Sequence, residues 1–308
     1  MLDLKTLPTD ERGAQFAPYL PPLSPNTKSV ARLHFDTLAD FAAYVPTHDP
    51  GGDRHCGHAW ETGADTRNFT LTPNMTEALR FARDGWEEGA ERARPLLEKI
   101  KTARPTRKAL VRWDIAGAVP SVPRYLAGNP LHMRAQAISA SSRQPVLTIV
   151  SNWSTPASVS AKVFEASAVA AAAICDRLED AGYRVEIIAG RRCSNDVGGE
   201  TGHVMETFAK IKSAEDTLDL ARLAFGLGHP STLRRLSFAI ASIHPAMRDA
   251  TQYAQGYASN FDKLERPPGT YTMPANKGVE ATCGHDPVKV FDYVLKHMKN
   301  QGCPGLED

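Results

Sequence analysis

The chain has 308 residues, 42% hydrophobic and 23% charged, the balance of an ordinary globular protein with room for one large domain or a domain and an appendage. Its 36 basic residues against 35 acidic ones exclude a bulk basic footprint for nucleic acid. The five cysteines (Cys56, Cys175, Cys193, Cys283 and Cys303) contain no CxxC pair, which fits free thiols in a reducing compartment.

The first residues, Met1 to Pro8, lack the apolar core of a secretory signal. The longest apolar helical run, Ala166 to Ile174, is mostly alanine and too short to span a bilayer. These features predict a cytoplasmic protein without membrane association.

Residues 1–27 are punctuated by prolines and read as extended. Ser29 to Phe35 reads as a strand, followed by a short helix to about Val45 with Asp36 as its N-cap. The polar stretch 46–74 reads as a loop. Met75 to Thr102 has helical period, with Leu79, Ala82, Trp86, Ala90 and Ala93 on one face, and the Asp84-Gly85-Trp86 step divides it into two helices.

From residue 108 the pattern changes. Leu110–Ile115, Pro145–Ser151, Arg184–Ala189 and His203–Ile211 read as strands. A long helix from about Ser158 to Ala181, closed by Gly182, joins the second strand to the third and makes a βαβ unit with parallel strands. Asp216–Gly226 and Pro230–His244 read as a helical pair, Tyr271–Pro274 as a last strand and Asp286–Lys299 as a closing helix. The expected fold is α/β: a mixed, largely parallel sheet with helices on both faces, preceded by an N-terminal extended and helical region. The expected boundaries are 1–104 and 105–308.

Asp114 ends an apolar strand and is followed by a Gly/Pro-rich turn and a short helix between Pro123 and Pro130. Open α/β sheets place their sites at such strand ends. A carboxylate there can hold a divalent cation such as magnesium, with Ser151 and Ser154 at the next strand's end, or it can simply cap a turn. Arg124, Tyr125 and Asn129 complete the candidate binding face. His55, Cys56 and His58, with Cys283 and His285, offer zinc-type ligands but lack C-x₂₋₄-C spacing. Arg191 through Glu200 reads as a hairpin connection, although its glycines could face a phosphate. A nucleophile set of Ser151, His203 and Asp114, or Cys193 with His203, lacks a G-x-S-x-G elbow. Arg191-Arg192 with Arg234-Arg235 offers a local basic patch for nucleic acid.

The order of a first acid-tipped strand, further strands, a long helix and a helical pair resembles the von Willebrand factor A fold, with a Rossmann-like sheet as the other description. That fold's metal loop is Asp-x-Ser-x-Ser, and Asp114-Ile-Ala-Gly-Ala118 lacks both serines. Glu77-Ala-Leu…Asp84-Gly-Trp-Glu-Glu-Gly89, Trp113-Asp-Ile-Ala-Gly…Pro123-Arg-Tyr-Leu-Ala-Gly-Asn-Pro130 and Leu218…Gly226-Leu-Gly-His-Pro-Ser-Thr-Leu-Arg-Arg235 resemble an uncharacterised bacteriophage and prophage family over roughly residues 75–300. The resemblance implies a viral origin and a role inside the infected cell, and it carries no catalytic residue. The expected function is a non-enzymatic phage accessory protein that binds a phage or host protein through the face holding Asp114, Pro123–Pro130 (with Arg124 and Tyr125) and the polar 250–270 loop. The alternatives are a divalent-metal enzyme acting on a nucleotide or nucleic acid, and a virion structural protein.

Overall fold

The computed structural model describes residues 29–49, 59–103, 111–116, 119–136, 145–197, 200–243 and 268–306. The strands are β1 (Ser29–Phe35), β2 (Val111–Asp114), β3 (Val119–Pro120), β4 (Met133–Gln136), β5 (Val146–Asn152), β6 (Arg184–Val197), β7 (Glu200–Lys212) and β8 (Thr270–Thr272). The helices are α1 (Leu38–Tyr44), α2 (Ala64–Thr70), α3 (Met75–Asp84), α4 (Glu87–Ala103), α5 (Val122–Leu126), α6 (Ala161–Asp180), α7 (Leu220–Gly228), α8 (Phe238–Ile243), α9 (Asn276–Cys283) and α10 (Pro287–Asn300). A π-helical turn, Thr232–Ser237, leads into α8.

Five strands form the main sheet in the order β1-β7-β6-β5-β8. Three neighbouring pairs are parallel and β6–β7 is antiparallel, which gives the mixed, mostly parallel α/β sheet expected. The expected hairpin is longer than the sequence suggests, since pairing runs out to Val197 opposite Glu200. The crossover helix α6 starts at Ser160, whose hydroxyl accepts the Lys162 N–H, and stops before Gly182 at φ +90°. Val163, Ala166, Ala170, Ile174 and Leu178 are buried as expected, and its small alanines let α4, α7, α9 and α10 pack around it.

Alternate strand residues Leu147, Ile149, Val185, Ile187, Ala189, Met205, Ala209 and Ile211 enter one core cluster shared with α1, α6 and α7. The intervening Val150, Ile188 and Phe208 are buried too, so the central strands are covered on both faces. β1 pairs with β7, and Phe41 of α1, Trp86 and Ile100 belong to the same core, so residues on either side of 104/105 share one sheet and one core.

The step at Gly85 divides α3 from α4 as expected. Its φ is +91°, a Cβ there would stand 2.8 Å from the Ala221 Cβ, and the Trp86 N–H donates to the Ala221 carbonyl at 3.1 Å. Leu79, Ala82, Trp86, Ala90 and Ala93 are all buried. Two local expectations shift. The N-cap of α1 is Thr37, not Asp36, because its hydroxyl accepts the Asp40 N–H. The stretch 46–74, expected as a loop, contains α2, which ends on Leu71 in the left-handed region.

The largest departure concerns Asp114. Its strand β2 is absent from the main sheet and belongs to a separate three-stranded antiparallel sheet in the order β2-β4-β3. The strand read as the acid-tipped first member of the α/β sheet is an element of a small lobe, residues 111–136. The βαβ unit itself runs from β5 through α6 to β6, as expected.

Candidate functional site

The lobe brings four of the candidate residues together. Asp114 ends β2, and its Oδ1 accepts the Ile115 N–H at 2.8 Å, so the carboxylate caps the turn that follows. Ser121 precedes α5, and Pro123 in its first turn suits a helix start. The Ser121 N–H donates to the His132 carbonyl at 2.7 Å, tying α5 to the approach of β4. The Arg124 guanidinium lies 4.3 Å from the centre of the Trp113 ring and donates to the Leu131 carbonyl at 3.1 Å. Tyr125 meets His132 edge-on, with ring centres 5.2 Å apart. Asn129 folds the return turn, its Oδ1 accepting the Leu131 N–H at 2.9 Å.

Beside these bonded polar groups the lobe exposes a set of large apolar side chains. Trp113, Ile115, Val119, Val122, Tyr125, Leu126 and Leu131 are exposed, Leu126 at 78%. Only Leu71 and Val146 among the other described residues are large hydrophobics exposed in this way. Of these apolar residues only Tyr125 is among the candidates taken from the sequence. The signal was present as Val, Leu and Ile residues in a Gly/Pro-rich stretch without the strand or helix length to bury them. Residues 250–267 of the polar loop counted with this face lie outside the described residues.

Ser151 and Ser154 sit at the carboxyl end of β5, as expected, but on a different sheet from Asp114. They are therefore not its partners in one strand-end site. The Ser154 N–H donates to Asn152 Oδ1 at 2.8 Å, and Trp153 is locked by its indole N–H to the Gly226 carbonyl at 2.8 Å and by Phe41. Beside it Ser167 donates to Asn276 Oδ1 at 2.8 Å, and Asn276 Nδ2 donates to Thr155 at 3.3 Å. Among the described residues no three His, Cys, Asp or Glu side chains gather in a metal-holding group. The nucleophile set of Ser151, His203 and Asp114 fails on the same separation of sheets. The side chains of Cys193 and His203 lie outside the described ones.

Of the zinc-type candidates, His55, Cys56 and His58 lie outside the described residues. Cys283 donates to the Lys289 carbonyl at 3.5 Å, and burial raises its thiol pKa. His285 is exposed on the turn before α10.

The basic patch is replaced by an interior arrangement. Arg192 pairs with Glu206, which is fully buried, at 2.9 Å. Arg234 and Arg235 lie in the π-helical turn and are buried. Arg235 donates to the Thr72 hydroxyl at 2.7 Å and to the carbonyls of Ala59, Glu61 and Thr72 at 2.7, 3.0 and 2.9 Å. Arg234 donates to the carbonyls of Phe69, Ala157 and Val159, with its guanidinium over the Phe69 ring at 4.3 Å. Ser231 adds bonds to Thr70 and Thr72. The two arginines therefore clamp residues 59–72 to the helical pair and present no cationic surface. Surface and interior arginines have the same sequence signature, although Leu233 and Leu236 on either side of the pair hinted at burial.

No helix among the described residues is long and apolar enough to cross a membrane. No curated protein and no solved structure matches the chain. A family model described as a domain of unknown function, DUF7192, matches residues 20–297.

Proposed function

The chain belongs to the DUF7192 family, and from that starting point we propose that it is a non-enzymatic protein-interaction module that holds a partner protein through the 111–136 lobe. The observation that carries this reading is the concentration of exposed apolar side chains on one small lobe. Single exposed hydrophobics need no explanation, whereas a contiguous group of them marks an interaction surface. Trp113, Tyr125 and Arg124 are also the residue types that dominate binding energy in protein interfaces. The likeness of three motifs to phage and prophage proteins supports an accessory role during infection, inside the cell or on the virion.

A von Willebrand factor A-like reading moves with the sheet. Since β5 leads the βαβ unit, the loop in the place of Asp-x-Ser-x-Ser would be Asn152-Trp153-Ser154-Thr155-Pro156. Asn152 is neutral there, its amide oxygen is engaged by the Ser154 N–H, and Pro156 has no hydroxyl. Divalent cations favour charged oxygen ligands. The metal-dependent enzyme therefore has weaker support than the binding module.

The test compares tagged wild type with a Tyr125→Ala, Leu126→Asp variant, recovered from phage-infected cells and read by quantitative mass spectrometry. Both side chains are exposed, so stability changes by no more than about 0.5 kcal/mol. A stoichiometric protein captured by the wild type and lost by the variant supports the reading. Particle proteins lost in the same way place the role on the virion. Capture that survives the double change, or recovery of the wild type alone, overturns it.

A further inference from the structure

Three arginines are packed inside the protein, and of these only Arg235 has a carboxylate, Glu61, near enough to act on its charge. Arg191 is 3% exposed, Arg234 5% and Arg235 0%. None of the three forms an ion pair with a described residue. Arg192 shows the contrast. It is the next residue along β6, points to the opposite sheet face, and is neutralised by Glu206.

Three carbonyls and the Thr72 hydroxyl receive the N–H groups of Arg235, and Glu61 offsets part of its charge. Arg234 has a buried Nε with no hydrogen-bond partner, and Arg191 has a buried Nη2 with none. Burial draws the Arg234 pKa down to about 10, as befits a cation with no anion beside it. Interiors rarely tolerate charges that are neither paired nor coordinated, and an orphaned buried donor in a native fold calls for a bound ion or water.

The orphans are linked through Phe238 and the turn that precedes it. Arg191 lies one residue beyond Gly190, the last β6 partner of β5, and its guanidinium stands 5.1 Å from the centre of the Phe238 ring. Phe238 is four residues from Arg234, which places both on about one face of the same helical segment. Ser237, in the same turn, has a buried hydroxyl that is also without a partner. The location is the carboxyl end of β5 and the edge of a π-helical turn, two places where binding sites concentrate.

We propose that Arg191 and Arg234, at the π-helical turn Thr232–Ser237, form an internal site for an oxyanion, a phosphate or a carboxylate group. Guanidinium donors suit such an anion, and those free for it are Arg191 Nη2 and Arg234 Nε, since the Arg234 amino groups already serve carbonyls. This site is independent of the 111–136 lobe and of the partner it holds.

The full chain is melted in sodium chloride, sodium phosphate and sodium acetate at one ionic strength. Phosphate or acetate raises the wild-type midpoint by roughly 5 °C at a hundredfold excess over Kd, in a saturable way. Response to phosphate alone assigns a phosphate ligand, and response to acetate alone assigns a carboxylate. Arg191→Met abolishes the rise, and in chloride it melts at or above the wild type because a buried unpaired cation is gone. Equal wild-type midpoints in all three salts, or a full rise in Arg191→Met, overturn the site. If Arg191→Met does not fold, Arg191→Lys is titrated calorimetrically with inorganic phosphate. The charge without the guanidinium donors weakens binding at least tenfold, and unchanged affinity overturns the assignment.

Discussion

Acidification destabilises this protein through His229. The ring is boxed by Phe81, Trp86 and Phe225, with centroids 5.7, 4.5 and 5.4 Å away. Its Nδ1 accepts the Ser231 N–H at 3.1 Å, and the Leu71 carbonyl takes the other ring N–H. Burial, joined by the nearby Arg92 charge, pushes the pKa from 6.5 down to about 3, against partial opposition from the Leu71 bond. The folded imidazole therefore stays neutral while the unfolded chain binds a proton as pH falls through about 6.5. Stability from this group is complete above pH 6.5 and is lost progressively down to pH about 3. Each unit of that interval costs about 1.4 kcal/mol, so acidification from pH 7.5 to 5 removes about 2 kcal/mol. Urea unfolding followed by tryptophan fluorescence at the two pH values measures the loss, with Trp86 as an adjacent reporter. In His229→Asn an amide oxygen can still receive the Ser231 N–H. The variant is less stable at pH 7.5, from lost ring packing, but its pH-dependent loss is smaller by about 2 kcal/mol. Equal losses in wild type and variant refute the reasoning.

The remaining expectations concern the joints of the fold. Arg235→Met leaves the Ala59, Glu61 and Thr72 carbonyls without their donor. A loss of about 3 kcal/mol or more is expected in urea unfolding, with faster amide exchange concentrated in residues 59–72. Unchanged exchange there shows that the clamp is dispensable. Gly85→Ala places a methyl 2.8 Å from the Ala221 Cβ in a positive-φ conformation, and about 2 kcal/mol of stability is lost. By contrast, Gly182→Ala meets nothing within 4 Å and carries only the backbone strain of φ +90°, so it melts above Gly85→Ala in the same scan.

Much of the secondary structure was legible because its signals are local. Period-3.6 apolar spacing marked the buried face of α6, Gly85 marked the break before Trp86, and Asp286-Pro287 marked the start of α10. Alternating or continuous apolar runs marked the strands of the main sheet. Short elements escaped, as α2 and the two-residue β3 did, because a few residues carry little periodicity. The candidate site was half legible. Asp114, Arg124, Tyr125 and Asn129 do share one lobe, bound by short-range turns and one short helix.

What only the tertiary structure decided is which sheet each strand joins and which side of the surface each charge lies on. Asp114 has the same sequence context whether β2 lies in the main sheet or beside β4, because strand partners are chosen by contacts remote along the chain. The arginines at 191, 234 and 235 look like solvated charges in sequence, since charge alone predicts exposure. Their burial depends on carbonyls of residues 59–72 and 157–159 and on aromatic rings supplied by other elements. Local chemistry determined the elements, and long-range hydrogen bonding and packing determined where the chemistry of this protein can occur.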